Sequence, residues 1–124
     1  MSGNIFLRTS VLFLICGMSF GAYMGATHDF TYAPAHAHLN LIGGVLMFLA
    51  GLYYNSKPDL PKGLIRIHYF IALLGVLLIV PGIFGMLETH QPWAAPVVGA
   101  GSVITVINML FFAFMVFKGT GKSA

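Results

Sequence analysis

Charge is scarce in this chain. Only 7% of its 124 residues are charged, six of them Lys or Arg and three Asp or Glu, whereas 58% are hydrophobic. Because a soluble domain carries about 25% charged residues, this composition excludes a soluble globular protein. The net charge of +3 is too small to indicate nucleic-acid binding, and we expect no nucleic-acid partner.

Cysteine is almost absent, and the motifs of several enzyme classes are missing. The single Cys16 excludes an internal disulfide framework and a cysteine ligand pair. Its position within an apolar run favours a small buried side chain. The sequence contains no nucleotide-binding loop, no nucleophile triad and no acidic residue within an apolar run to relay protons. We therefore assign no catalytic residue.

Long hydrophobic runs take up most of the sequence. Each of four runs is near the length of about 20 residues with which a helix crosses a bilayer. They predict an all-α integral membrane protein that forms a single four-helix transmembrane domain over residues 1–124. The runs are Ile5 to Ala26, Ala37 to Asn55, Leu64 to Leu87 and Ala94 to Phe117.

The basic residues predict the orientation. If the chain crosses four times, all six fall on one side, and the positive-inside rule then makes both termini cytoplasmic. We expect a multi-pass protein of a bacterial inner (cytoplasmic) membrane. The basic residues are Arg8, Lys57, Lys62, Arg66, Lys118 and Lys122.

A histidine pair, His36 and His38, stands at the head of the second run. Histidine at membrane depth is costly and indicates a functional site. On a helix, residues two apart differ by about 200° around the axis, so the two rings are expected on opposite faces. They would then serve two sites rather than hold one metal ion together.

The other three histidines have simpler interpretations. His28 and His90 fall in the loops on the same side as the pair, His28 as a solvated residue and His90 at the interface. His68 falls near the opposite membrane surface, where we expect it to snorkel or face lipid headgroups. At about 1.5 Å per residue its ring lies about 20 Å from the level of His38, too far to share a metal.

Small and polar residues predict how the helices pack. Gly17, Gly21 and Gly25 recur every four residues in the first run, a ridge for close approach of another helix or subunit. Thr105 and Asn108 lie three apart in the fourth run and share a face. An asparagine at that depth is expected to point inward, toward a polar partner or a cavity.

The segment Ala33 to Tyr54, APAHAHLNLIGGVLMFLAGLYY, resembles a haem-ligating helix of the large subunit of haem-copper oxidases and nitric oxide reductases. That subunit has twelve helices in three four-helix arcs, and the second helix of each arc carries metal-ligating histidines near the outer side. One of these helices has a His-x-His pair whose members ligate different haems. The resemblance implies one arc per chain and a homotrimer of twelve helices.

A second resemblance is to styrene oxide isomerase, a four-span membrane enzyme that forms trimers around haem b. Ala33-Pro34-Ala35-His36 and Gly43 align with the start of its second helix, whereas Asn40 is offset from that family's asparagine. This resemblance implies an epoxide isomerase that uses ferric iron as a Lewis acid.

Together the resemblances imply haem b near the outer face, held at subunit interfaces by His36 of one chain and His38 of the next. They favour a membrane cytochrome for electron transfer or diatomic gas binding, with a redox partner or a small gas or apolar ligand. Gly43 and Gly44 would clear space for the macrocycle. Tyr32, Asn40 and His90 are the candidate residues around the iron ligands.

Three alternatives remain open. One is the haem-dependent enzyme already described. Another is a copper or zinc site on the outer face, which needs residues 34–38 extended so that alternate side chains share one side. The last is a membrane accessory subunit without a cofactor.

Overall fold

The computed structural model describes residues 2–88 and 91–121, and these residues form four long helices without a strand. Each helix is long and apolar enough to cross a membrane. The prediction of an all-α membrane protein with four spans is thereby confirmed. The helices are α1 (Asn4–Thr27), α2 (Ala33–Ser56), α3 (Lys62–Leu87) and α4 (Ala94–Thr120).

Helix α2 begins earlier than hydropathy predicted. It starts at Ala33 rather than Ala37, with Pro34 in its first turn, where the missing proline N–H is not needed for helix hydrogen bonds. His36 and His38 therefore lie in the first two turns of the helix. The middle of α2, Leu39–Leu46, is π-helical.

Consecutive helices run antiparallel and pack against one another. We call the end where α1 and α3 begin and α2 and α4 end the terminal end, and the opposite end the distal end. Asn4 at the start of α1 is hydrogen-bonded to Asn55 near the end of α2, which fixes their register. At the distal end, Gly85 of α3 lies against Ala94 of α4.

Two apolar clusters form the interior. The larger lies at the terminal end and is centred on Phe6, Ile65, Phe112 and Met115, with residues from all four helices. The smaller surrounds Ala35 near the distal end and includes Ile79 of α3. Large apolar side chains on all four helices are exposed, as lipid contact requires. Cys16 is among the exposed residues, so the expectation that it is buried is wrong.

Candidate functional site

His36 faces α1 within its own chain. Its ring is half-buried, and its Cε1 lies 2.7 Å from the point where a Cβ on Gly21 would stand. Any side chain larger than hydrogen at position 21 would therefore displace the ring. The ring centroid of Phe20 lies 6.3 Å from that of His36, on the same helix as Gly21.

Asn40 lies one turn after His36 and bonds to it. Its amide nitrogen donates toward the imidazole, at 3.1 Å from Nδ1 and 3.3 Å from Nε2. Its Oδ1 is buried, has no hydrogen-bond partner among the described residues, and occupies the space that a Cβ on Gly17 would fill. The missing side chains of Gly17 and Gly21 thus leave the space in which Asn40 and His36 pack against α1.

This contact confirms that the glycine ridge is a surface for close approach of another helix, which is α2 of the same chain. Gly17 and Gly21 accommodate side chains of α2, whereas Gly25 has open space beside it. Gly43 and Gly44 likewise lie against Phe13 and Leu14 of α1. In this chain α1 therefore occupies the space beside these two glycines.

His38 has different surroundings. Its Nδ1 lies 2.7 Å from the backbone carbonyl oxygen of Pro34, one turn earlier in α2. A carbonyl only accepts, so Nδ1 carries the proton and donates, and the lone pair of the neutral ring is on Nε2. The ring is half-buried. Among the described residues, Nε2 of His38 has no hydrogen-bond partner.

The π-helical segment begins immediately after His38, at Leu39. Segments of this kind are rare and occur frequently at functional sites, because the wider turn changes the direction of the side chains that follow. Here it contains Asn40, the residue that bonds to His36. No pattern in the sequence predicts this π-helical segment.

Tyr32 joins the start of α2 to the end of α3. Its hydroxyl donates to the carboxylate of Glu88, and its ring packs on Phe84, with centroids 4.9 Å apart. The bond to Glu88 raises the pKa of Tyr32 above its usual value of 10.0 because it stabilises the protonated phenol. The Tyr32 hydroxyl therefore contacts Glu88 and not the histidine pair.

The loop before α2 is held by Asp29. Its carboxylate accepts hydrogen bonds from the hydroxyl of Thr31 at 2.6 Å and from the Thr31 backbone N–H at 3.1 Å. Both bonds lower the pKa of Asp29, the hydroxyl contributing most. His28, at the end of α1, is exposed as predicted. His90 lies outside the described residues.

His68 is buried at the terminal end, so the prediction that it snorkels or faces headgroups is wrong. It is 2% exposed, and its Nδ1 lies 2.6 Å from the hydroxyl of Tyr54 in α2. The ring stacks on Phe111 and Phe112 of α4 at centroid distances of 5.7 and 5.3 Å. Aromatic residues of three neighbouring helices thus replace the lipid that we expected around it.

Asn108 completes this buried polar cluster. It is 2% exposed, which confirms that it points inward, and it lies close to His68. Its Oδ1 has no hydrogen-bond partner among the described residues. Tyr54, His68 and Asn108 therefore join α2, α3 and α4 through polar groups that neither water nor lipid reaches.

The described residues contain no group of three or more His, Cys, Asp or Glu side chains that could hold a metal ion. Residues 34–38 are helical, so the extended segment required for a chelate by alternate side chains is not present. His36 and His38 remain separate single donors.

Comparisons with protein-family models, with curated proteins and with solved structures give no match to this chain. The fold defines the class, a multi-pass α-helical membrane protein.

Proposed function

We propose that this chain is a haem b-binding membrane protein of the cytochrome type, for electron transfer or diatomic gas binding. The observation that carries the proposal is the hydrogen bond from His38 Nδ1 to the Pro34 carbonyl. A metal-ligating histidine almost always donates its second ring nitrogen in this way, because the bond fixes the tautomer and the ring orientation. His38 Nε2 would then be the atom that holds the haem.

The number of donors also supports haem. A structural zinc site needs four protein ligands, and a catalytic one needs three. Haem iron is held by one or two axial residues, so it does not need a three-residue cluster. Within the described residues the histidines are single donors without such a cluster, which suits haem better than the copper or zinc alternative.

An uncovered apolar face of α2 lies beside His38. Its large side chains are about half exposed and recur at helical spacing from the level of His38 toward the terminal end: Leu41, Val45, Leu49 and Leu52. A porphyrin needs such a surface, and a neighbouring copy would cover its other side. This supports a haem at a subunit interface in a homotrimer.

His36 has a different role in this proposal. To ligate iron of a haem between subunits, its ring would have to turn away from Gly21 and Asn40. We therefore propose that His38 would be the first residue to hold the haem. His36 would contribute a second bond only after that rotation, and otherwise it fixes α1 against the segment that carries His38.

When bound, haem supplies reversible one-electron redox chemistry and, where one axial position is open, a site for a diatomic ligand. The residues of the chain hold and orient the group. Tyr32 and Glu88 tie the start of α2 to α3, so that the turn bearing His38 stays in place. We further propose cytoplasmic termini and a bacterial inner membrane location, which the grouping of the six basic residues favours.

The experiment is a haem assay on protein purified in mild detergent. Wild type should contain haem b by pyridine haemochrome, and His38→Ala should lose most of it. His28→Ala is the matched control, since His28 is exposed and lies outside the site. If His38→Ala retains a normal haem spectrum, or if wild type binds no haem after reconstitution, the proposal is wrong.

The spectrum also separates the alternatives. Six-coordinate low-spin iron indicates electron transfer, whereas five-coordinate iron leaves a position for a gas or an epoxide. Binding of copper or zinc without haem would favour the metal-site alternative.

A further inference from the structure

A cavity of about 480 Å³ opens at the terminal end, between the α2–α3 loop and the last turn of α4. Lys57 and Lys118 line it, and prolines at positions 58 and 61 stiffen the loop. Leu60, 7% exposed, anchors this loop in the larger apolar cluster.

The two walls of the cavity are joined. The hydroxyl of Tyr53, near the end of α2, donates to the backbone carbonyl of Val116 in α4 at 3.2 Å. The Tyr53 oxygen also occupies the space beside Gly119 that a Cβ would fill. The ends of α2 and α4 that flank the cavity are therefore packed against each other.

The cavity is positively charged. Among the described residues, neither Lys57 nor Lys118 forms an ion pair, although one carboxylate, that of Asp59, also lines the cavity. Two cations that face one concave space favour an anion there.

The position of the cavity selects the kind of anion. It lies where α2 ends, α3 begins and α4 ends, the level at which a spanning helix meets the headgroups. Next to Lys118, the apolar surface of α4 is open to lipid, with Phe117 77% and Phe114 52% exposed. An anion with acyl chains would satisfy both the charged cavity and this surface, whereas free phosphate would satisfy only the first.

We propose that this cavity binds the phosphate group of an anionic phospholipid, with the ammonium groups of Lys57 and Lys118 donating to its oxygens. Basic pockets between transmembrane helices bind anionic headgroups in this way. This proposal does not depend on haem binding.

The test is native mass spectrometry of the purified full chain with added phosphatidylglycerol or phosphatidylcholine of the same acyl composition. Wild type should retain phosphatidylglycerol preferentially. Lys57→Gln and Lys118→Gln should each weaken retention about fivefold. The matched control is Lys62→Gln, which removes the same charge at the same end from an exposed side chain outside the cavity.

Three results would overturn the proposal. Equal losses in Lys62→Gln and Lys57→Gln would mean that the whole basic end attracts lipid without a site. Equal retention of both lipids would mean that the headgroup charge is not recognised. Displacement of the lipid by millimolar inorganic phosphate would assign the cavity to a free ion. Far-ultraviolet circular dichroism, unchanged in all variants, establishes that they are folded.

Discussion

Removal of one hydroxyl from the buried polar cluster should destabilise the protein measurably. The change is Tyr54→Phe, which leaves the aromatic ring in place and deletes the group 2.6 Å from His68 Nδ1. Tyr54 and His68 are 1% and 2% exposed, so neither water nor lipid can replace the lost bond. The ring nitrogen is then buried without its partner.

The expected loss of stability follows from two typical ranges of hydrogen-bond energy. An unsatisfied buried polar group costs about 1–3 kcal/mol. Hydrogen bonds between transmembrane helices contribute about 0.6 kcal/mol on average and at most about 1.7 kcal/mol. Since this bond is short and buried, we expect the free energy of unfolding to fall by about 1–2 kcal/mol.

The matched control is the same substitution one residue earlier. The Tyr53 hydroxyl donates at 3.2 Å to the carbonyl of Val116, which also accepts from Thr120 Oγ1 at 2.7 Å. Because that carbonyl keeps another partner, Tyr53→Phe should cost less than about 0.5 kcal/mol.

The assay is reversible unfolding in mixed micelles, followed by far-ultraviolet circular dichroism. A double-mutant cycle of Tyr54→Phe with His68→Phe isolates the energy of the pair. If Tyr54→Phe costs no more than Tyr53→Phe, or if the cycle gives no coupling, the cluster does not stabilise the fold as argued.

Three further predictions concern packing, pH and orientation. Gly21→Ala should lower the free energy of unfolding by about 1–3 kcal/mol in the same assay, because the new Cβ would stand 2.7 Å from His36. Gly25→Ala is the control and should not destabilise the chain, because no atom lies within 4 Å of a Cβ at that position. The Tyr32–Glu88 contact should be intact near neutral pH and lost as the pH rises through the raised pKa of Tyr32. Glu88→Gln should bring the pKa of Tyr32 back toward 10.0 in a phenolate absorbance titration, and an unchanged titration would contradict the contact. A reporter fused to the C-terminus should be active only in the cytoplasm. Native mass spectrometry should find the proposed homotrimer, and a spectrum that contains only monomer would contradict it.

The sequence by itself determined the architecture. A chain with 7% charged residues and four apolar runs can satisfy its backbone in a bilayer only as helices. The lengths of the apolar runs predicted three of the four helices to within a few residues. The predicted start of α2 was too late, because Pro34 and the histidines lowered the local hydropathy. The inward direction of Asn108 was also predicted correctly, since lipid offers an amide no partner.

The tertiary structure decided which neighbours each polar side chain has. Helical periodicity could separate His36 from His38, but only the packing of α1 shows that Gly17 and Gly21 receive Asn40 and His36. His68 was misassigned for the same reason. A histidine one turn inside a span can reach the headgroups or the interior, and its burial followed from aromatic residues of other helices, among them Phe112. Such contacts join residues far apart in the sequence, so no local pattern specifies them.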